Sequence, residues 1–358
     1  MVYYTRPEPV QYGQKDRTHL NNVTIRDVAA LAKVSVGTVS MVLNNSDKVK
    51  PKTRELVLRT VEKLNYKRNP YARSLSLNKS HAIGLIVTDL TNPYFGMIVE
   101  HLQREIDTRA NSLVIGVSQD TIRLEKMLVE RLVGSGVDGL IFVPAYEQNP
   151  QLSHIYDLVT RKFPMVSLTT YYEGVPCGCV MTDLAKGSYD MTKYLLEAGY
   201  RDILFLCGFR ELILSKMRLD GFLRAHRDAG LSVRTDQIVE APQPNFQSGY
   251  EATKEFLKRH TPDAIMSIND VLSMGVMGYL HEAGVRVPED ISVAGYDDLI
   301  YSGMLETPLT TVRQPIGDMC AAAVDMLFSL IDGEEAPEHP VLMEPKLTIR
   351  ASTGRRIE

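Results

Sequence analysis

Polar side chains follow a series of short apolar runs, always within three residues of the last apolar one. Thr88 and Asp89 follow AIGLIV; Ser118, Gln119 and Asp120 follow SLVIGV; Thr169 follows MVSL; Asn269 and Asp270 follow AIMSI; Asp297 and Asp298 follow ISVAGY. Arg218 opens RLDGF, just behind the run DILFLC. Such a set suits recognition of a hydroxyl-rich small molecule. Hydroxyls donate and accept, and carboxylates, amides and a guanidinium answer them, two bonds at a time in good geometry. A purely structural Arg218–Asp297 pair fits the same residues, because buried charges are normally paired.

Other chemistries fit less well. Gly134-x-Gly136-x-x-Gly139 has the letters of a dinucleotide fingerprint, but it precedes the run GLIFV and does not lie between a strand and its following helix, so it reads as a helix stop and turn. The eight histidines show no H-x-x-x-H pair, and Cys177-Gly-Cys179 lacks a second ligand pair at metal-site spacing. Neither a P-loop nor a nucleophile elbow occurs. The expectation is a chain without catalytic residues, metal or cofactor. Four cysteines in 358 residues, with no apolar leader in the first 22, read as reduced thiols inside a cell. No apolar run is long enough to cross a membrane, and a 44% hydrophobic content is ample for large buried cores.

These residues need elements to position them. From His81 onward, short fully apolar runs alternate with helical patterns in two series, the first ending near MVSL and the second near ISVAGY. Apolar strands between amphipathic helices mean buried parallel sheets, and two series mean two doubly wound α/β subdomains. Ligands of such sheets bind beyond the strand C-termini, so the polar set should line a cleft between the subdomains.

The first 80 residues are different. Residues 1–22 are polar and aperiodic, a tail with no assigned task. Thr24 and Asp27 resemble a capping box, followed by a helix with Ile25, Val28, Ala29 and Ala32 on one face. Ser35 can cap a second helix, Val36 to Leu43, with Val39, Val42 and Leu43 inward. Pro51 starts a third, with a stripe of Leu56, Val57, Thr60, Val61 and Leu64. The tight turn between the first two matches a helix-turn-helix, whose second helix enters the major groove. Charge agrees: residues 24–80 hold twelve Lys and Arg against four Asp and Glu, whereas residues 81–358 are net acidic. A basic module on an acidic body suits a polyanionic partner, although a solvated basic face has the same composition. Between them, Asn69–Ser80 (NPYARSLSLNKS) places Tyr71, Ala72 and Leu75 on one face of a helix too short to be stable alone. It reads either as a hinge that folds conditionally or as a polar linker.

From Val23 the chain, through VTIRDVAALAKVSVGTVSMVLNNSDKVKPKTRELVLRTVEKLNY and NPYARSLSLNKSHAIGLIVTDLTNPYF, resembles the lactose/galactose-repressor family of bacterial transcription regulators. The resemblance implies a periplasmic-binding-protein-like sensor behind a helix-turn-helix headpiece and a hinge helix. It implies domains at 23–68 (headpiece), 69–80 (hinge) and 81–358, the last divided into an N-subdomain of about 81–181 plus 314–342 and a C-subdomain of about 182–313 plus 343–358. Val36, Gly37 and Met41 would occupy base-reading positions, and Ser35, Thr38, Ser40 and Asn44 would buttress the helix and contact phosphates. Thr24, Tyr66, Asn69, Ala72 and Arg73 complete the expected DNA-contacting set, with Leu75 inserted in the minor groove at the centre of a pseudo-palindromic operator. Met41 departs from the family, which usually has a polar, often basic, residue there. Met cannot hydrogen-bond a guanine edge, so readout shifts towards apolar contact and DNA shape.

For the cleft, the resemblance carries Arg218, Asn269, Asp297 and Gln314 onto ligand-contacting positions and Tyr94 and Phe95 onto an apolar wall. Thr88, Asn92, Asp120 and Thr169 complete the expected effector set. Phe246 is a candidate stacking ring whose segment, PQPNFQSGY, is spaced differently from the family's. The expected function is a cytoplasmic homodimeric repressor of double-stranded DNA, controlled by a sugar or sugar phosphate. A purine or nucleoside effector on the same architecture is the alternative. A sugar-binding transport protein is a remote one, since it would need a signal peptide and have no use for residues 24–80. With eight residues after Arg350 there is no heptad segment to make a tetramer.

Overall fold

A computed structural model describes residues 23–43, 46–66, 80–146, 151–241 and 243–354. The chain divides into two compact units, before and after the Asn78–Lys79 bond.

The first unit contains three helices: α1 (Ile25–Ala32), α2 (Val36–Leu43) and α3 (Pro51–Lys63). Thr24 N–H and Oγ1 both donate to the Asp27 carboxylate at 2.7 Å, fixing the start of α1. Lys33 ends it in the left-handed conformation, and Ser35 Oγ accepts the Thr38 N–H at 3.1 Å to open α2. Val28, Ala29, Ala32, Val39, Val42, Val49 and Val57 form the core. Leu56, expected inward, is 50% exposed. The stripe on α3 is Val57, Thr60, Val61 and Leu64, which have the i, i+3, i+4, i+7 spacing of one helical face, and Leu56 falls beside it.

The second unit has two parallel sheets. One lobe, the N-lobe, carries β1 (Ala82–Val87), β2 (Ser112–Val117), β3 (Gly139–Phe142), β4 (Met165–Leu168), β5 (Gly178–Thr182) and β11 (Val341–Met343), in the order β11-β5-β4-β3-β1-β2. Its helices are α4 (Pro93–Thr108), α5 (Ile122–Gly134), α6 (Ser153–Thr160) and α11 (Ile316–Ile331). The C-lobe carries β6 (Ile203–Cys207), β7 (Ile238–Glu240), β8 (Ala264–Ser267) and β9 (Ser292–Ala294), in the order β7-β6-β8-β9. Helices α7 (Leu184–Glu197), α8 (Ile213–Asp228), α9 (Phe246–Leu257) and α10 (Asp270–Glu282) accompany it. A short antiparallel pair, β10 (Thr311–Arg313) with β12 (Lys346–Thr348), lies where the chain passes between the lobes. The chain crosses after Thr182, near Gln314 and after Met343, so each lobe is built from separated stretches.

Two departures from the sequence pattern matter. Strand β5 begins at Gly178 inside VPCGCVMT, which lies past the end of the first apolar series at MVSL; its five residues are buried between β4 and β11. Strand β2 was expected to be buried, but it is the outer edge of its sheet, with Val114 40% and Ile115 42% exposed. Gly134 ends α5 and Gly136 takes φ +84°, a conformation that glycine adopts without strain, so this glycine cluster is a helix stop.

Candidate functional site

On the headpiece, α2 turns Val39 and Val42 inward and leaves the opposite face open. Val36 is 42% and Met41 39% exposed, so neither is consumed by packing. Gly37 is exposed between them, and a Cβ there would meet only Ser35 Oγ, at 3.7 Å. Ser35 is exposed and shares a 2.9 Å hydrogen bond with the half-buried Thr38 hydroxyl. Ser40 is half-buried, and Tyr66 packs on the three-helix core. The face therefore presents a small apolar tip flanked by hydroxyls. Asn44, Asn69, Ala72, Arg73 and Leu75 lie outside the described residues.

In the second unit, a chain of buried polar groups joins the lobes. Arg218 on α8 places its guanidinium 3.8 Å from Asp297 Oδ1 and 4.4 Å above the Tyr296 ring. Gln314 Nε2 donates to Asp297 Oδ1 at 2.7 Å. Gln314 Oε1 accepts from Thr182 Oγ1 at 2.7 Å and from the Tyr94 hydroxyl at 3.1 Å. Arg218, Asp297 and Gln314 are all buried. Burial pushes the Asp297 carboxyl up to about 8, against the opposing pull of Arg218. Asp297 also holds φ +115°, a strained conformation for a non-glycine residue. Its loop is clamped from below. The buried Asp270 carboxylate accepts the Leu299 N–H at 2.9 Å and the Ser302 and Thr311 hydroxyls at 2.6 Å.

A second polar group sits at the N-lobe strand ends. Thr88 is fully buried after β1, and Asp120 follows β2 with φ +54°. The Thr88 hydroxyl and the Tyr146 backbone lie against the Asp120 carboxyl, while Arg218 Nε and Thr170 Oγ1 meet no hydrogen-bond partner. Buried polar atoms without partners are rare in folded proteins, and these suit a polar occupant. Burial, with the neighbouring Asp89 carboxylate, raises the Asp120 pKa to about 6. Tyr146 stands between the two groups. Burial holds its phenol well above the usual range, Arg218 opposes this, and Asp120 and Asp297 add to it.

Comparison with known proteins agrees with this geometry. Residues 24–69 match the family model described as bacterial regulatory proteins, lacI family, and residues 192–353 match a periplasmic binding protein-like domain. The HTH-type transcriptional repressor PurR of Pasteurella multocida (strain Pm70) is 33% identical over 336 residues, covering 93% of this chain and 99% of the relative. The chain belongs to the lacI family. The HTH-type transcriptional regulator GalR of Escherichia coli (strain K12) is 31% identical, over 92% of this chain and 96% of its own. A crystal structure of the lac repressor dimer bound to operator and the anti-inducer ONPF superposes with a TM-score of 0.84 at 27% identity, covering 93% of this chain and 99% of that one. This lacI-family chain is thus a DNA-binding transcriptional regulator, with a helix-turn-helix and two parallel-sheet lobes.

The lacI-family cleft brings together Tyr94, Arg218, Asp297 and Gln314 in one hydrogen-bonded series, with Thr88 and Asp120 across from them through Tyr146. Other expected contacts have structural engagements of their own. Asn92 Oδ1 accepts the Tyr94 N–H at 3.1 Å as the cap of α4. Asn269 Oδ1 caps α10 through the Leu272 N–H at 2.8 Å, and its amide donates to Pro244 O at 3.0 Å. Phe95 is buried in the N-lobe core, edge-on to Tyr94 at 5.5 Å. Thr169, with φ +69°, is tied by its N–H to Val180 O. Phe246 is half-exposed and packs on Gly278, eight residues into α10 and so about 12 Å from that helix's cleft end. It is not among the cleft groups. Tyr146, Tyr296, Thr182 and Thr170 were missed from sequence, although Tyr146 and Thr170 also stand shortly after strand ends and the same positional rule finds them.

Proposed function

We propose that the chain is a homodimeric repressor whose operator affinity is set by a carbohydrate bound between the lobes of its sensor, with residues 23–68, 69–80 and 81–358 acting as headpiece, hinge and sensor. The observation that carries this reading is the Arg218–Asp297–Gln314–Tyr94 series, which links both lobes and leaves Arg218 Nε buried without a partner. A polyol offers each of these groups a donor or an acceptor. A ligand contacting both lobes favours one inter-lobe angle, and such a preference shifts operator affinity by as much as its affinities for the two states differ.

The exposed α2 face supports readout by apolar contact and DNA shape, because Val36, Gly37 and Met41 offer bases no side-chain hydrogen bonds. The dimer is supported by apolar side chains left open on both lobes: Val114 and Ile115 on the edge strand β2, and Ile300, Tyr301 and Met304 beyond β9. Exposed apolar edges normally require a cover. Among the described residues no helix is long and apolar enough to cross a membrane, and the protein acts in the cytoplasm, where the operator is.

A purine effector is the second reading, favoured by the PurR relative. The geometry favours it less: Phe95, expected as an apolar wall, is packed into the N-lobe core and offers no free face for a base, and the groups gathered on the series are a guanidinium, a carboxyl, an amide and a tyrosine hydroxyl. Isothermal titration of the full chain with sugars, hypoxanthine and guanine decides between them. Saturable binding of a sugar is expected, weakened by roughly 2–5 kcal/mol in Arg218→Ala. Binding of a purine with no response to any sugar would establish the second reading.

A further inference from the structure

Beside Tyr146 the cleft opens into a second chamber of about 550 Å³, lined from both lobes. The N-lobe contributes Tyr146, Tyr156, Thr170 and Tyr171; the C-lobe contributes the stretch from Glu211 to Ile213 and Lys216. Tyr146 lines this chamber and also borders the polar series, its phenol lying near Arg218, Asp297 and Asp120. The chamber wall is built on a buried frame. Glu125 on α5 is fully buried; it pairs with His154 Nε2 at 2.7 Å and accepts the Tyr172 hydroxyl at 2.9 Å and the Ala145 N–H at 3.0 Å. One carboxylate therefore fixes both the loop carrying Tyr146 and the loop carrying Tyr171. Tyr146 and Tyr171 pack on the buried cluster that runs from β5 into the C-lobe. Thr170 is buried, and its Oγ1 has no partner.

The volume lies within the range of small-molecule sites, and a single ring held on Arg218 and Asp297 would leave the chamber to water. Its lining combines tyrosine side chains and the Thr170 hydroxyl with the carboxylates of Glu173 and Glu211 and the Lys216 ammonium. A pyranose has the matching surface, an apolar C–H face and a rim of hydroxyls, and tyrosine meets both with an apolar body and a polar tip. We propose that the effector is a disaccharide or longer glycoside, with one ring on the Arg218–Asp297–Gln314 series and the next on the tyrosine faces of the outer chamber. The proposal rests on the carbohydrate reading and narrows it. Because the outer chamber draws on both lobes, the second ring adds to the preference for one inter-lobe angle.

The test is isothermal titration of the full-length chain with cellobiose, maltose, lactose, sucrose and trehalose, each beside its component monosaccharides. At least one disaccharide should bind several-fold to about tenfold tighter than either component, one further ring contact being worth up to about a factor of ten. Tyr171→Ala should remove most of that advantage and leave monosaccharide affinity within about twofold. The unliganded melting temperature serves as the fold check. Tyr156→Ala, at a more exposed rim position, gives the same comparison if Tyr171→Ala fails to fold. Equal affinity for a disaccharide and its components would overturn the two-ring proposal and leave the carbohydrate reading standing. Binding of hypoxanthine or guanine with the whole sugar panel silent would overturn both, and a panel silent throughout would overturn the two-ring proposal.

Discussion

Asp297 concentrates several constraints in one side chain. It is buried, its backbone is strained, it faces a guanidinium 3.8 Å away and it accepts a hydrogen bond from Gln314. Its folded pKa of about 8 lies above the ordinary 3.8, so between about pH 4 and 8 the folded state keeps a proton that the unfolded state has lost. By linkage the contribution of this group to stability is greatest below that window and declines as pH rises through it, by at most about 1.4 kcal/mol per pH unit for one proton. Asp297→Asn mimics the protonated carboxyl. The variant should therefore lose less stability than wild type between pH 5 and 8, measured as melting temperature across that range, while its sugar response is lost. Parallel pH profiles would show that Asp297 is ionised in the folded sensor.

At the scale of elements, helix α2 and the proposed hinge have different tasks. Helix α2 is fixed by the Ser35 cap and by Val39 and Val42, so its outward face is rigidly presented. The stretch 69–80, mostly outside the described residues, has no comparable anchor in its sequence and is the proposed hinge. An apolar wedge in the minor groove unstacks a base step and gains a bent duplex that touches more protein. Non-specific binding depends on Lys and Arg against phosphate. Leu75→Ala keeps helix propensity and removes the wedge. It should lower operator affinity by about tenfold or more while changing affinity for scrambled DNA by less than about twofold, in paired titrations at one fixed salt. An unchanged ratio would reduce 69–80 to a plain linker.

At the scale of the whole molecule, the edge strand β2 is the feature that a monomer would not be expected to leave open. Val114 and Ile115 stand exposed on the outermost strand of a six-stranded sheet, whereas every residue of β3 and β5 is buried. Ile115→Lys places a charge on that edge, a substitution that disfavours strand or face association without touching a core. Sedimentation velocity at about micromolar protein should show a dimer for wild type and a shift towards monomer for the variant, with operator affinity falling in parallel because two half-sites are no longer engaged together.

Local pattern in the sequence determined much of this protein. The capping residues Thr24 and Ser35, the spacing of Val28, Val39 and Val57, and the apolar runs before Thr88, Asp120, Asn269 and Asp297 each act over a few residues, so headpiece helices and buried strands are legible without coordinates. Family likeness added Gln314 and gave Arg218 its expected ligand-contacting role. Tertiary structure alone decided the rest. Which strand lies at the edge depends on the order β11-β5-β4-β3-β1-β2, and no strand carries that order within itself. Strand β5 and the three-residue strands β10, β11 and β12 are too short or too glycine-marked to show a period, and they pair only because distant partners present free backbone groups. Asn92, Asn269 and Asp297 look alike as polar residues near strand ends, yet two serve as helix caps and one meets an arginine from another helix. Tyr94 reaches Gln314 across 220 positions, and Tyr146 takes its place between two charged groups because three chain crossings bring the lobes face to face. Contacts at that separation are set by how whole lobes pack, and sequence spacing holds no record of them.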